Sequence, residues 1–338
     1  MTMSPTTNAG VILFAGLAVL AAGCATTNSP AGNPTLEPSS ASPTAPPSST
    51  SSPSVAPSPT MSLVTAIDGS IVFAKDGDIH VIAGDEDRNV TGTDAIESSP
   101  AWSPDGSRVV FARHDGQAVD LYSMKPDGSD QKRLTNTPEQ EWAAGWSPDG
   151  KHISFTTFSD ADGGRLLVMN ADGTKLHPIY ENENAFVGFT DWSPDGRSIL
   201  LGIDVGGGGQ LDLYAIGVDG KHLTALTRVE GDDRGGRWSP NGTKIVFWSD
   251  GYPPRDGPGI YIMNSDGSSP ARVLADTLGL DTAAFAWSPD GQQIAWTGKI
   301  EGGGGSSIFV MTSSGTELKQ VTESLTKSTS LDWTSETH

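Results

Sequence analysis

Histidine, cysteine and serine are the side chains most able to do chemistry. The six histidines, His80, His114, His152, His177, His222 and His338, are scattered along 338 residues with no His-x-x-x-His or His-Glu pairing, so the sequence holds no preformed zinc site. A Gly-x-Ser-x-Gly nucleophile elbow is missing, and no hydrolase domain follows the repeats described below, which argues against a serine hydrolase. Gly206–Gly209 and Gly302–Gly305 lack the Gly-Lys-Ser/Thr ending of a phosphate loop and read as hairpin tips. Asp160-Ala161-Asp162-Gly163 begins like a calcium loop but lacks the remaining ligands, and reads as a turn. The expectation is a protein that is not an enzyme, with no catalytic residue, no metal site and no cofactor.

Carboxylates are the abundant reactive group. Asp and Glu number 41 against 21 Lys and Arg, a formal net charge of −20. Such a surface repels phosphate backbones, which excludes nucleic acid as a natural partner. Many acids fall between the repeated segments. We single out Glu139, Glu141, Glu181, Glu183, Asp232 and Asp233 as candidate partner-binding residues, together with Trp142, Arg234, Tyr252, Arg255 and His114. A ring of one charge sign focuses potential and attracts a cationic peptide, a polyamine-like ligand or divalent cations. The plainer reading is solubilising charge on exposed loops. Tyr252 and Arg255 lie in a proline-stiffened loop suited to recognition, and Trp142 is a candidate exposed platform.

These candidates are positioned by a repeat. Ser-Pro-Asp-Gly follows Trp102, Trp146, Trp192 and Trp287, Ser-Pro-Asn-Gly follows Trp238, and Trp333 stands alone, at successive intervals of 44, 46, 46, 49 and 46 residues. The tetrapeptide suits a type I turn, with its Asp a turn former, so the tryptophan ends one strand and the turn starts another. A run such as Arg108-Val109-Val110-Phe111 then reads as a half-buried second strand. A third strand follows, seen in Leu121-Tyr122-Ser123-Met124, and ends at an Asp-Gly or Ser-Gly dipeptide that favours a two-residue hairpin turn. A short fourth strand closes the unit near Leu134-Thr135, Leu226-Thr227 or Val321-Thr322. No period of 3.6 residues is present, which excludes helical solenoids. Residues 70–91 supply three strands without a first, and Trp333 supplies a first strand with nothing after it. The fold class expected is therefore all-β: a six-bladed β-propeller of four-stranded blades, closed by the C-terminal strand joining the N-terminal blade. The repeated tryptophans are expected between blades.

The Trp-Ser-Pro-Asp-Gly unit followed by an Ile-x-Phe strand resembles the TolB-like, or PD40, propeller repeat over roughly residues 69–338. TolB proteins carry a small α/β domain before the propeller, whereas this chain has a low-complexity segment there. The resemblance implies a binding or scaffold module presenting one loop-rich face to a protein, peptide or glycan in the cell envelope, as a monomer. Some relatives of the repeat are metal-dependent polysaccharide lyases, which is the alternative function.

The N-terminus suggests a location. Val11–Leu20 is apolar and of signal-peptide length, and it leads into Leu20-Ala21-Ala22-Gly23-Cys24, which resembles a bacterial lipobox. Cys24 is the single cysteine, so disulfides within the chain are excluded and lipidation is its expected use. The expected organisation is a lipoprotein signal peptide at 1–23, a disordered Pro/Ser/Thr-rich tether at 24–62 and the propeller at 63–338. The protein would then be extracytoplasmic and held to the bacterial cell membrane by its lipid.

Overall fold

The computed structural model describes residues 62–63, 67–116, 118–159, 163–204, 209–228, 231–252, 257–276, 284–299, 306–322 and 330–335. The chain divides into units 1–58 and 59–338, and every described residue belongs to the second. Cys24, the leader and nearly all of the tether lie outside the described residues, as does Arg255. Among the described residues no helix is long and apolar enough to cross a membrane.

The described residues build an all-β propeller of four-stranded antiparallel blades. The Trp102 blade runs Ile96–Trp102, Val109–Asp115, Ala118–Met124 and Lys132–Arg133. The Trp146 blade runs Gln140–Trp146, His152–Ser159, Gly163–Asn170 and His177–Asn182, and the Trp192 blade runs Phe186–Trp192, Ser198–Asp204, Asp212–Gly217 and Thr224–Ala225. The Trp238 blade (Asp233–Trp238, Lys244–Ser249, Gly259–Asn264, Ala271–Ala275) and the Trp287 blade (Phe285–Trp287, Gln293–Lys299, Ser306–Thr312, Lys319–Gln320) follow the same order. The strand Leu331–Thr334 pairs with Ile67–Lys75, in register Ile71↔Trp333, beside Asp78–Gly84 and Glu86–Asn89.

Second strands are buried on both faces, where one buried face was expected. Val109, Val110, Phe111 and Ala112 have no exposed surface because each sheet is sandwiched between its neighbours. Core clusters therefore form between blades: Val110, Ala112, Val119 and Leu121 of the Trp102 blade meet Ile153, Phe155, Leu167 and Met169 of the Trp146 blade. Each such side chain contributes about 1.5–3 kcal/mol by leaving water. Trp102 is buried against Val72, Ala74, Ile79 and Val81 of the preceding blade.

Two turns per blade recur with little change. In Ser-Pro-Asp-Gly, the Ser103 hydroxyl donates to Asp105 Oδ1 at 2.6 Å and accepts from Arg108 N at 2.9 Å, while Gly106 N donates to Ser103 O at 2.8 Å. The Ser103 hydroxyl, with Ser107 N and its hydroxyl, holds the Asp105 carboxyl below its ordinary range, and Ser147 with Lys151 N brings Asp149 down to about 2. The carboxylates are consumed by the turn.

The Asp-Gly turns differ from expectation. Lys125 N donates to Ser129 O at 2.8 Å around a three-residue loop with Gly128 at φ 81°, the bulged hairpin that suits a left-handed glycine at its third position. Their glycines have a second duty. A Cβ on Gly128 would lie 1.8 Å from Val90 O, and one on Gly173, Gly267 or Gly315 would lie 2.5 Å from Leu134 O, 2.6 Å from Leu226 O or 2.1 Å from Val273 O. Each turn thus docks bare backbone onto the fourth strand of the preceding blade.

Candidate binding face

Ser-Pro-Asp-Gly and Asp-Gly turns share one end of the blades, which leaves the second-to-third and fourth-to-first connections at the other, the loop end. Residues expected in the fourth-to-first connections prove to belong to first strands. Glu141 and Trp142 lie in Gln140–Trp146, Asp233 and Arg234 in Asp233–Trp238. The cause is a β-bulge three residues before Trp102, Trp146 and Trp238, with Ser99, Ala143 and Gly235 at φ 53°, 50° and 69° and register shifts beside them. The bulge breaks the two-residue alternation and re-aims the preceding side chains.

That placement removes two acids from the exposed face. Glu141 is fully buried, accepting from the Thr135 hydroxyl, from Thr137 Oγ1 at 2.8 Å and from Leu121 N at 3.2 Å. Burial pushes its carboxyl up to about 7, with the Asp120 charge adding to the rise and the hydroxyl donors opposing it. Asp233 holds the matching place at the next-but-one blade junction and is likewise fully buried. Being one methylene shorter than Glu141, it leaves both carboxyl oxygens without a hydrogen bond of good geometry. Burial raises it to about 6, with the Ser249 and Thr227 hydroxyls beside it working the other way. The Tyr252 hydroxyl is buried too, and burial with the nearby Asp233 and Asp212 charges raises that phenol. Tyr252 meets the Phe247 ring edge-on at 6.1 Å and the tilted Tyr261 ring at 5.5 Å, so it braces the core here.

Other candidates do reach the loop end. Arg165 Nη1 holds Glu139 at 2.7 Å and its Nε holds Glu181 at 2.9 Å, while Glu183 is exposed. Asp232 accepts from Leu211 N at 2.9 Å and from Arg234 Nε at 2.9 Å, and the Arg234 guanidinium covers the Trp248 ring at 4.2 Å. His114 is the penultimate residue of the strand Val109–Asp115. It meets the Trp142 ring edge-on at 6.0 Å and Ser98 Oγ at 3.4 Å, and burial lowers its pKa. Trp142 is half-buried.

Sequence reading missed an aromatic pair. Phe158, at the end of a second strand, lies 5.8 Å from Phe186, which opens the next first strand, and both are exposed, at 37% and 44%. The available signal was positional: Phe186 sits six residues before Trp192, where the other blades place Ile96, Gln140 and Asp232. It missed a second group at the turn end. Asp191, Arg237 and Asp332, each immediately before a repeat tryptophan, line a cavity of about 230 Å³ with Trp102, Trp238 and Trp287. Asp191 Oδ2 accepts from Trp238 N at 2.7 Å and Asp332 Oδ2 from Trp102 N at 2.8 Å. Each acid thereby caps a backbone donor on the next blade. Burial pushes Asp191 up to about 7, against the pull of Arg237. Asp191 is thus an inter-blade latch. Among the described residues no three His, Cys, Asp or Glu side chains converge in a metal-holding arrangement.

Comparison with known proteins agrees with this architecture. The family described as PD40, TolB beta propeller domain, matches residues 73–201. Residues 73–201 thus match the PD40 repeat. The chain is 29% identical over 206 residues to an uncharacterized protein, Atu1656, of Agrobacterium fabrum, a match covering 58% of this chain and 52% of the other, so it spans about half the length of that curated relative. The propeller superposes on the crystal structure of TolB from Acinetobacter baumannii with a TM-score of 0.66 at 17% identity, covering 78% of this chain and 66% of that one. It also superposes on an oligogalacturonate lyase in complex with manganese, with a TM-score of 0.51 at 16% identity, covering 72% of this chain and 74% of that one. At these identities the two structures speak to the fold alone.

Proposed function

We propose that the chain is a closed six-bladed propeller, lipid-anchored outside the bacterial cytoplasm, that acts as a binding or scaffold module for a protein, peptide or glycan of the cell envelope. Supporting the closed ring, Leu331–Thr334 pairs into the N-terminal sheet and packs against both Ile96–Trp102 and Phe285–Trp287. Similarity to TolB and the lipobox-like Leu20–Cys24 support the envelope setting. The observation that carries binding is the contrast between the ends. Turn-end carboxylates are spent on turns and latches, whereas the loop end presents the exposed Phe158 and Phe186 among carboxylates. Exposed paired aromatics beside charge mark interaction surfaces.

A photo-crosslinking residue placed at Glu183 in the full chain, in its own membranes, is expected to trap an envelope component. The same residue at Lys151, on the turn end, is expected to trap none. Equal trapping at both positions, or none at either, would remove the reading. Replacing Cys24 with Ser is expected to move the protein into the soluble fraction. A lyase is the alternative, resting on the likeness to the manganese-bound enzyme and on the two carboxyls, Asp191 and Asp332, that line the turn-end cavity. It requires a manganese-dependent rise in melting temperature that EDTA reverses.

A further inference from the structure

The junction of the Trp192 and Trp238 blades holds more negative charge than its own side chains balance. Asp212 opens the third strand of the Trp192 blade and Asp233 the first strand of the Trp238 blade. The Thr227 hydroxyl reaches both, donating to Asp212 Oδ1 at 3.2 Å and lying beside the Asp233 carboxyl. Ser249 is the register partner of Asp233, and the Tyr252 hydroxyl is its neighbour on the loop side. Asp233 has no exposed surface, yet neither of its carboxyl oxygens nor the Tyr252 hydroxyl has a hydrogen bond of good geometry. A carboxylate buried in this way is costly until a positive charge meets it.

The junction of the Trp102 and Trp146 blades meets the same demand with side chains. Asp120, Thr135 and Glu141 stand there where Asp212, Thr227 and Asp233 stand here, and Glu141 is long enough to collect the hydrogen bonds already described. Arg133 Nη2 then donates to Asp120 Oδ2 at 2.5 Å. Arg133 reaches it because it is the register partner of Tyr122, two residues along the strand, and the residue in that register beside Tyr214 is Ala225. A methyl thus replaces the guanidinium. The other cations nearby do not make up for it: Arg234 is held by Asp232 and lies over Trp248, and the exposed Arg228 acts on Asp212 with no ion pair to it among the described residues. Asp232, with Asp204 and Asp250 beside it, adds further like charge.

We propose that Asp212 and Asp233, with the hydroxyls of Thr227 and Ser249, form a calcium site that ties the two blades together at the loop end. Two carboxylates match the charge of a divalent cation, and the donors are all hard oxygens, which suit calcium and not the softer metals that prefer imidazole and thiolate. Calcium fills the rest of its shell with water, so a third acid is not needed. Asp212 is half-buried, which gives the ion a way in from solvent. The inference goes beyond the binding reading and does not depend on it.

The test measures melting temperature of the full chain in detergent, first with EDTA and then with excess calcium. Calcium at tenfold excess over its dissociation constant is expected to raise it by about 2–4 °C. Asp233→Asn is expected to abolish the rise. Ala225→Arg, which supplies the guanidinium that Arg133 supplies at the matching junction, is expected to raise the melting temperature in EDTA and to remove the calcium response, so the proposal is tested even if the Asn variant fails to fold. Terbium, a luminescent substitute for calcium, is expected to be sensitised by the Tyr252 ring and displaced by calcium in the parent chain but not in Ala225→Arg. Asp191→Asn, at the turn end, is expected to keep the full calcium response, which separates this site from the cation the lyase alternative requires. No calcium response in the parent, a response that survives both Asp233→Asn and Ala225→Arg, or one lost in Asp191→Asn overturns the proposal. Trapping at Glu183 is unaffected by any of these outcomes, so the calcium site and the binding reading fail separately.

Discussion

The turn end and the loop end of this propeller are made by the same strands yet behave as opposites. At the turn end the same contacts recur from blade to blade: a serine–aspartate turn, a glycine pressed on a carbonyl, a tryptophan against the blade before it. At the loop end the position closing the second strand holds His114, Phe158 or Asp204, and its neighbour across the junction is Trp142, Phe186 or Asp232. Repetition marks what holds the ring together, and variation marks what is free to differ. The difference is physical. Turn-end polar groups have partners one to five residues away or on the adjoining backbone, so a change there breaks a bond, whereas Phe158, Phe186 and Glu183 at the loop end meet water.

The contrast makes graded predictions. Gly128→Ala should have the largest effect, because a methyl 1.8 Å from Val90 O forces two blades apart and φ 81° resists a side chain. A loss on the order of 2–4 kcal/mol is expected in urea unfolding. A stability unchanged within error would mean that the blade junction is looser than the turn contacts imply.

Asp332→Ala comes next. It removes the carboxylate to which Trp102 N donates and should cost about 1–3 kcal/mol, with Asp332→Asn retaining part of the bond. If alanine and asparagine prove equal, the latch contributes nothing.

The pH response sharpens the comparison further. Glu141 has an ordinary pKa of 4.5 unfolded and about 7 folded, so between these values the native state binds more protons than the unfolded chain. Its contribution is complete below about 4.5 and is lost as pH rises through about 7. Asp191 and Asp233, raised to about 7 and about 6, act in the same direction. The lowered turn carboxylates such as Asp149 act oppositely, but below their ordinary value of 3.8. Melting temperature is therefore expected to fall between pH 5 and 7.5, flanking those values, and Glu141→Gln should flatten that fall. A Glu141→Gln profile that stays parallel to the parent would show that the carboxyl is ionised throughout.

Phe158→Ser is expected to do least to stability, within about 0.5 kcal/mol, since the ring is already partly in water. A larger loss would move Phe158 from the variable surface to the scaffold.

Much of this architecture was legible in the residues. Trp-Ser-Pro-Asp-Gly announces a strand end, a turn and a strand start through short-range chemistry, and the structure places Ser103, Asp105 and Gly106 in those roles. The Asp-Gly turns were legible as turns but not as docking points, because the carbonyl that Gly128 meets, Val90 O, belongs to another blade. The loop end was the least legible. Glu141 and Asp233 read as exposed loop acids, and the bulges at Ala143 and Gly235 instead turn them into the junctions. Phe158 and Phe186 are separated by the whole outer half of a blade in the chain, so no local pattern joins them.

The sequence by itself determined the strand–turn grammar, the repeat and the sign of the charge, since each follows from neighbours in the chain or from simple sums. Only the tertiary structure decided which carboxylates are buried and which aromatics meet water. Those outcomes depend on a bulge's change of register and on the face of a second sheet, and both are set by contacts between residues that the chain holds tens of positions apart.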